Sequence, residues 1–120
     1  SGRTWTAPEK VPVWGGPPHL AVLSSGAVLC TYGSRRDPLS LRAMLSYDEG
    51  KTWEHENFIT LYELPVAHDF GYPVSVEVKP GKLVTVYYVN KKYALRNGTF
   101  TYLTHAEDAG GIMSTRWTLK

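Results

Sequence analysis

The sequence predicts an all-β fold built from repeated antiparallel strand units. Residues 18–32 and 73–87 resemble each other, and their prolines, glycines and tyrosines match at one constant spacing. Each copy reads as a strand, a glycine-containing turn and a second strand, which is the pattern of a short hairpin. No long stretch has the 3.6-residue apolar spacing of a helix. The repeat and the missing helical period together predict the fold class.

The strands are bounded by turn residues. The turns Ser24-Ser25-Gly26 and Lys79-Pro80-Gly81 close the two hairpins, and a third strand is expected after each pair. The predicted strands cover residues 4–11, 18–24, 27–33, 41–47, 52–59, 73–79, 82–89, 99–105 and 115–119.

A sharp corner is predicted between the third and fourth strands of the first copy, where residues 46–53 read S-x-D-x-G-x-x-W. Ser46 and Asp48 open the pattern, and the Asp48 carboxylate can accept backbone N–H groups that the turn leaves unpaired. Gly50 supplies a backbone angle that side chains resist, and Trp53 folds back as an apolar plug. These positions are therefore assigned to folding rather than to chemistry.

Antiparallel four-stranded units that repeat every ~50 residues describe the blades of a β-propeller. Residues 1–14 are expected to form the last strand of a preceding blade, because residues 1–5 echo residues 49–53. Residues 15–60 form a blade with the corner pattern. Residues 61–120 form a second blade with a weakened corner at 106–111, which Trp117 closes late.

Two blades leave both flanks uncovered, whereas propellers have about 4–8 blades. We therefore expect one of two arrangements. Either the chain is a piece of a longer six-bladed protein, or three copies close a six-bladed ring as a homotrimer.

Composition excludes several classes of protein and site. The 120 residues carry 13 basic and 11 acidic side chains, a net charge of +2 that argues for neither a nucleic-acid partner nor a membrane surface. No run reaches transmembrane length. Cys30, the single cysteine, lies in an apolar run and is predicted to be a buried inert thiol. The four histidines are scattered, so we expect no metal and no cofactor.

The corner pattern resembles the Asp box of sialidases and related glycan-active propellers, and nearly the whole chain is similar to BNR-repeat blades of that family. Sialidases use three arginines to clamp a carboxylate, a tyrosine paired with a glutamate as nucleophile, and an aspartate as acid and base. One clamp arginine occupies a Phe/Tyr-Arg-Ile-Pro motif. The equivalent places here read Phe70-Gly71-Tyr72-Pro73 and Gly15-Gly16-Pro17-Pro18. Neither contains the arginine, so no catalytic residue is assigned.

The resemblance also implies where a ligand binds. In such propellers the binding face is formed by the loops that lead into the first strand and join the second and third strands, and the Asp box lies on the opposite face. The candidate binding residues are therefore Trp14, Arg35, Arg36, Asp37, Arg42, His68 and Asp69. The alternatives are a solvated basic turn for Arg35 and Arg36, an ordinary turn at Asp69, and packing between blades for Trp14.

Two functions follow from the resemblance. The first is part of a sialidase-like glycoside hydrolase, an exo-glycosidase acting on glycans. The second is a non-catalytic carbohydrate-binding or scaffold module that assembles a propeller from short chains. A third hypothesis is that the chain is a relative in fold alone and has an unrelated ligand. Glycan-active propellers are often exported, so a secreted or periplasmic location is favoured, although no signal-peptide pattern opens the chain.

Overall fold

The chain is all-β. A computed structural model describes residues 2–63, 69–90, 93–96, 99–102 and 111–120, with only the backbone for 90, 93–96 and 99–102. These residues form a four-stranded sheet, a three-stranded sheet and a two-stranded hairpin, all antiparallel and with no helix among them. The prediction of an antiparallel all-β fold is confirmed. Consequently, the described ranges include no helix that could span a membrane.

The first sheet contains four strands in chain order: β1 (His19–Val22), β2 (Val28–Ser34), β3 (Ser40–Ser46) and β4 (Ile59–Glu63). In the β2–β3 register, Val28 lies opposite Ser46 and Ser34 lies opposite Ser40. Almost every residue of β2 is buried, because this strand is covered on both of its faces.

The second sheet has the order β5 (Asp69–Lys79), β6 (Lys82–Asn90) and β9 (Gly111–Thr118). A separate hairpin pairs β7 (Tyr93–Arg96) with β8 (Thr99–Tyr102). The register between β5 and β6 shifts between Gly71 and Val74, so the first residues of β5 are displaced from the regular ladder.

Two predicted strands differ from the structure in the first half of the chain. Residues 4–11 are not a strand; they are exposed or half-buried and contain Pro8, which cannot donate a ladder hydrogen bond. The fourth strand was expected at 52–59 but begins at Ile59. The intervening residues 54–57 are polar, and His55 instead donates its N–H to the Trp53 carbonyl in a local turn.

The prediction for the second half is wrong about the third strand. Residues 99–105 were expected to follow β6 in its sheet, but β8 pairs with β7, and β9 takes the place beside β6. Trp117 lies within β9 opposite Leu83, so it does not close a corner after a third strand. Its indole N–H donates to Thr85 at 3.0 Å, which anchors β9 to β6. The predicted weak corner at 106–110 lies outside the described residues.

The core lies between the two large sheets, which pack face to face. One cluster contains Leu23, Ala27, Leu29, Ala43 and Leu83, and a second contains Leu41, Phe70, Tyr87 and Val89. Both clusters draw side chains from both sheets, so burial of this apolar surface is the main force that joins them.

The other face of the first sheet carries a smaller cluster of Cys30, Tyr32 and Met44, which is packed against Val11, Val13 and Trp53. Cys30 is a buried free thiol, as predicted, and burial raises the pKa of this thiol from 9.0 to about 11. Residues 11–13 thus cover the face of the first sheet that does not meet the second sheet.

A chain of buried hydroxyl groups crosses the interface between the sheets. Ser75 on β5 donates to Thr31 on β2 at 3.1 Å, and its Oγ lies 2.8 Å from the hydroxyl of Thr85 on β6. The backbone N–H of Ser75 donates to Nδ1 of His19 at 3.3 Å. All three hydroxyl-bearing residues are buried, so Thr31 and Ser75 bond within the chain of hydroxyls, and Thr85 also accepts the Trp117 indole N–H.

Glu77 joins the two hairpin turns at one end of this interface. Its carboxylate accepts the Ser24 N–H at 2.6 Å, the Ser24 hydroxyl at 3.1 Å and the Gly81 N–H at 2.7 Å. These donors, with the Ser24 N–H first, hold the pKa of Glu77 below its ordinary value.

The corner at 46–53 is organised by two side chains. Ser46 Oγ accepts the Gly50 N–H and donates to Asp48, both at 2.8 Å. Asp48 accepts the Thr52 N–H at 2.8 Å and the Thr52 hydroxyl at 2.6 Å. Gly50 has φ +88°, and a Cβ there would be 3.7 Å from the Trp53 ring. Trp53 completes the corner by packing against the Cys30 cluster.

The corner makes stability depend on pH. The Thr52 hydroxyl, followed by the Thr52 N–H, lowers the pKa of Asp48 from 3.8 to about 2. We expect its contribution to be fully present above pH 3.8 and to be lost as the pH falls through about 2. The gap in free energy of unfolding between the wild type and Asp48→Asn should therefore close on acidification, measured by denaturant titration at several pH values. Glu49→Gln, which also removes one carboxylate from this corner, is the control; an equal gap for both variants at all pH values would contradict the assignment.

Ser75→Ala tests the hydroxyl chain. The variant leaves the buried Thr31 and Thr85 hydroxyls short of a partner, which costs about 1–3 kcal/mol in free energy of unfolding. Denaturant titration measures this cost, and Ser114→Ala, at an exposed position on β9, is the matched control with no expected change. Equal stability of the two variants would show that the chain of hydroxyls does not hold the sheets.

Candidate functional site

The candidate site lies at the end of the sheets where β2 ends and β5 begins. Arg35 follows Ser34, at the opposite end of the β2–β3 ladder from Ser46 and the corner residue Asp48. The sequence prediction that Arg35 and Asp48 occupy opposite ends of the first sheet is confirmed. The site is therefore separated from the corner by the length of the strands.

Arg35 connects the two sheets at this end. Its Nη2 donates to the carbonyl of Phe70 at 2.6 Å, and its guanidinium carbon lies 4.5 Å from the centroid of the Phe70 ring. Because Phe70 is fully buried in the core, it gives the half-buried arginine a fixed support. The guanidinium is thus held in place before any ligand arrives.

Gly71 leaves room for this guanidinium. The residue has φ +124°, and a Cβ built on it would lie 3.5 Å from Arg35 Nη2 and 3.8 Å from the Gly16 carbonyl oxygen. These are ordinary van der Waals distances, so the positive φ, which L-residues resist, is what disfavours a side chain at position 71. Glycine therefore lets the first residues of β5 adopt this conformation beside Arg35.

An acid and a tyrosine are paired beside Arg35. The Tyr88 hydroxyl on β6 donates to the Asp69 carboxylate at the start of β5. Desolvation raises the pKa of Tyr88, the Asp69 carboxylate raises it further, and the charge of Arg35 opposes them. Tyr88 is therefore protonated near neutral pH, and it donates the hydrogen bond that the Asp69 carboxylate accepts. The Tyr72 ring stands 5.7 Å from the Tyr88 ring, at an interplanar angle of 38°.

A groove opens on the other side of Arg35. It has a volume of about 510 Å3 and is lined by Lys10, Val11, Val13, Trp14, Gly15, Gly16 and Arg35. The Arg36 guanidinium lies 4.5 Å from the ring centroid of Trp14, and Gly15 is bridged to Ser34 at the end of β2. The groove thus combines two cations and one aromatic ring, groups that suit a polar ligand with an apolar face.

The predicted site residues do not all converge. Arg35, Arg36, Asp69 and Trp14 lie at this end, and Asp37 is exposed in the same turn. Arg42 has separate partners: it donates to Ser40 Oγ at 2.8 Å and to the Pro38 carbonyl at 3.3 Å, and it lies 3.9 Å from the Phe58 ring centroid. Arg42 is therefore engaged in holding the turn before β3. His68 lies outside the described residues.

Sequence reasoning missed several residues of the site, namely Lys10, Phe70, Tyr72 and Tyr88. The sequence offers two tyrosines side by side in β6, and only the register shows that Tyr87 points into the core whereas Tyr88, opposite Gly71, meets Asp69. One local signal was available for Tyr72, which follows Gly71 and precedes Pro73 in a predicted loop.

A larger cleft lies at the opposite end, between the hairpin turns. It has a volume of about 660 Å3, and Glu77 lines it together with Leu23, Tyr47 and Leu119. The Glu77 carboxylate already accepts three hydrogen bonds from the turns, which assigns it to holding the sheets together. The Arg35 end has the richer set of polar and aromatic groups for ligand binding.

The described residues contain no group of three or more His, Cys, Asp or Glu that could hold a metal ion. The chain matches no protein-family model, no curated protein and no solved structure.

The Tyr88–Asp69 pair can be tested by titration. We expect Tyr32, Tyr87 and Tyr88, three of the eight tyrosines, to ionise above their ordinary pKa of 10.0, and Tyr88→Phe to remove one of these late transitions. Asp69→Asn removes the neighbouring negative charge and should lower the pKa of Tyr88. Near-ultraviolet difference spectroscopy follows the phenolate, and circular dichroism checks that both variants fold. If Tyr88→Phe keeps the same number of late-ionising tyrosines as the wild type, the assignment is contradicted.

Proposed function

We propose that the chain is part of a sialidase-like glycoside hydrolase, and that it binds a glycan at the Arg35 end of its sheets. One observation carries the proposal: the supported guanidinium of Arg35 stands beside an acid–tyrosine pair, at the end opposite the corner formed by Ser46, Asp48 and Trp53. This is the arrangement expected if the corner is an Asp box.

The propeller interpretation is supported by how the sheets pack. The first sheet has four antiparallel strands in chain order, with the corner between β3 and β4, and it stacks face to face on the second sheet. The outer face of the second sheet has an exposed aliphatic row: Val74, Val76, Val78, Val86 and Ile112. Repeated units bury such faces on their neighbours, so further blades would cover this row and leave uncovered the end of the sheet where Tyr72 lies.

Arg35 can take the place of the arginine that the sialidase motif has and this chain lacks. In the sialidase motif the arginine occupies the place of Gly71, and here the guanidinium of Arg35 lies 3.5 Å from the point where a side chain at 71 would begin. We infer that Arg35 reaches the same ligand region from the adjacent sheet. A forked guanidinium there can bind a carboxylate or a pair of sugar hydroxyls.

Asp69 and Tyr88 supply the groups for proton chemistry in this proposal. Asp69 can accept a proton or a hydroxyl hydrogen bond, and Tyr88, which stays protonated, holds the Asp69 carboxylate in place by donating its hydroxyl to it. A nucleophilic tyrosine needs a lowered pKa instead. The nucleophile and the remaining arginines would therefore come from other blades.

The missing nucleophile favours a second candidate, a carbohydrate-binding or scaffold module without catalysis. A protonated phenol and a carboxylate are good partners for sugar hydroxyls even when no bond is broken. The two functions differ in turnover, so activity on a panel of aryl glycosides separates them.

Arg35→Gln in the complete protein is the decisive variant. Loss of a hydrogen bond from a charged group costs about 1.5–3 kcal/mol, so we expect kcat/KM on the aryl glycoside that the wild type cleaves, or the affinity for the methyl glycoside that it binds, to fall roughly 10- to 100-fold. Arg116→Gln, at an exposed position on β9, is the matched control and should retain full activity. Thermal unfolding of both variants shows whether the fold is kept. A folded wild type that neither cleaves nor binds any glycoside would refute both candidate functions.

A further inference from the structure

Tyr72 has a backbone conformation that the fold alone does not explain. Its φ is +48°, in the left-handed region, where a bulky residue is an outlier. It also precedes Pro73, and a residue before proline is pushed towards extended conformations. Strained residues of this kind cluster at functional sites, because the surroundings must hold them in place.

Burial of the Tyr72 side chain does not offset the cost of this backbone conformation. The Tyr72 side chain is 64% exposed, at the point where the register of β5 shifts between Gly71 and Val74. A glycine at this position would adopt the same φ without steric cost. Position 72 nevertheless carries a large aromatic ring, which contributes little to the core.

The ring is nevertheless held in position. The Tyr88 ring supports it at 5.7 Å, and the Tyr88 hydroxyl is fixed in turn by Asp69. Arg35 lies beside Gly71, the residue before Tyr72, and its charge acts on Tyr88. The exposed ring therefore stands next to a cation and an acid–tyrosine pair.

We propose that Tyr72 is a stacking platform for the apolar face of a sugar ring, which places it among the binding residues of the site. This inference rests on the proposed function. A pyranose presents C–H groups on one face and hydroxyls around its rim, so an exposed aromatic ring beside hydrogen-bonding groups matches both. Tyr72 suits this role better than Trp14, because the Arg36 guanidinium already lies against the Trp14 ring.

The test separates stacking from folding, because the two roles predict opposite effects of glycine. The complete protein is titrated with methyl glycosides of the common hexoses and N-acetylhexosamines, and binding is followed by saturation-transfer NMR. For the glycoside that the wild type binds, Tyr72→Gly should weaken affinity about 10-fold or more. Its thermal unfolding midpoint should equal or exceed that of the wild type, since the strain is relieved. Tyr72→Phe keeps the ring and should bind within about twofold of the wild type.

Two further variants control for the side chain and for its place. Tyr72→Asn removes the ring but tolerates a positive φ, so it should bind as weakly as Tyr72→Gly while it folds. Tyr47→Ala removes a tyrosine that is 72% exposed near the corner at the other end, and it should bind normally.

Each failure has a distinct meaning. If Arg35→Gln loses binding while Tyr72→Gly and Tyr72→Asn keep it, the platform is refuted and the proposed function stands. If Tyr72→Gly and Tyr72→Asn both lose binding only because they unfold below the assay temperature, Tyr72 is a structural residue and the platform is refuted. If the wild type binds and cleaves no glycoside, the platform and the proposed function fall together.

Discussion

The packing of Phe70 between the two sheets is the constraint on which the rest depends. The ring is fully buried with Leu41, Tyr87 and Val89, so it belongs to the core, yet it is only two residues from Tyr72. The same residue offers its carbonyl and its ring to Arg35. The burial of Phe70 therefore fixes the position of the Arg35 guanidinium, and the candidate site is built on the rigid core.

At each end of the interface between the sheets, one charged side chain forms hydrogen bonds with backbone groups, but the two side chains have different roles. At the turn end, the Glu77 carboxylate satisfies backbone N–H groups from both hairpins, so its charge is used in holding the sheets. At the other end, the Arg35 guanidinium donates to the Phe70 carbonyl and lies against the Phe70 ring, so its positive charge is placed where the two sheets meet. The Glu77 carboxylate is therefore used to hold the hairpin turns together, and the Arg35 guanidinium connects the core to the candidate site.

The sequence predicted what is decided locally. The hairpin turns at Gly26 and Gly81 and the corner at Ser46 to Trp53 depend on residues a few positions apart, and they formed where expected. It did not predict that β9 pairs with β6 in place of residues 99–105, because strand pairing depends on distant partners such as Thr85 and Trp117.

The candidate site was predicted in part for the same reason. Arg35, Arg36, Asp69 and Trp14 stand out by residue type in loops, which sequence can read. The contacts of Arg35 with Phe70 and of Asp69 with Tyr88 arise from register and sheet packing, which no local pattern encodes. Arg42 shows the converse: its charge suggested binding, and its neighbours Ser40 and Phe58 engage it in the turn.

The buried thiol of Cys30 can report when the segment that covers the first sheet opens. Its thiol lies beneath Val13 and Trp53, and its raised pKa leaves it protonated in ordinary buffers. Alkylating reagents attack the thiolate, so labelling requires both exposure and ionisation. The rate at which this single thiol is modified therefore measures how often residues 11–13 separate from the first sheet, and a ligand bound beside Trp14 would slow the modification.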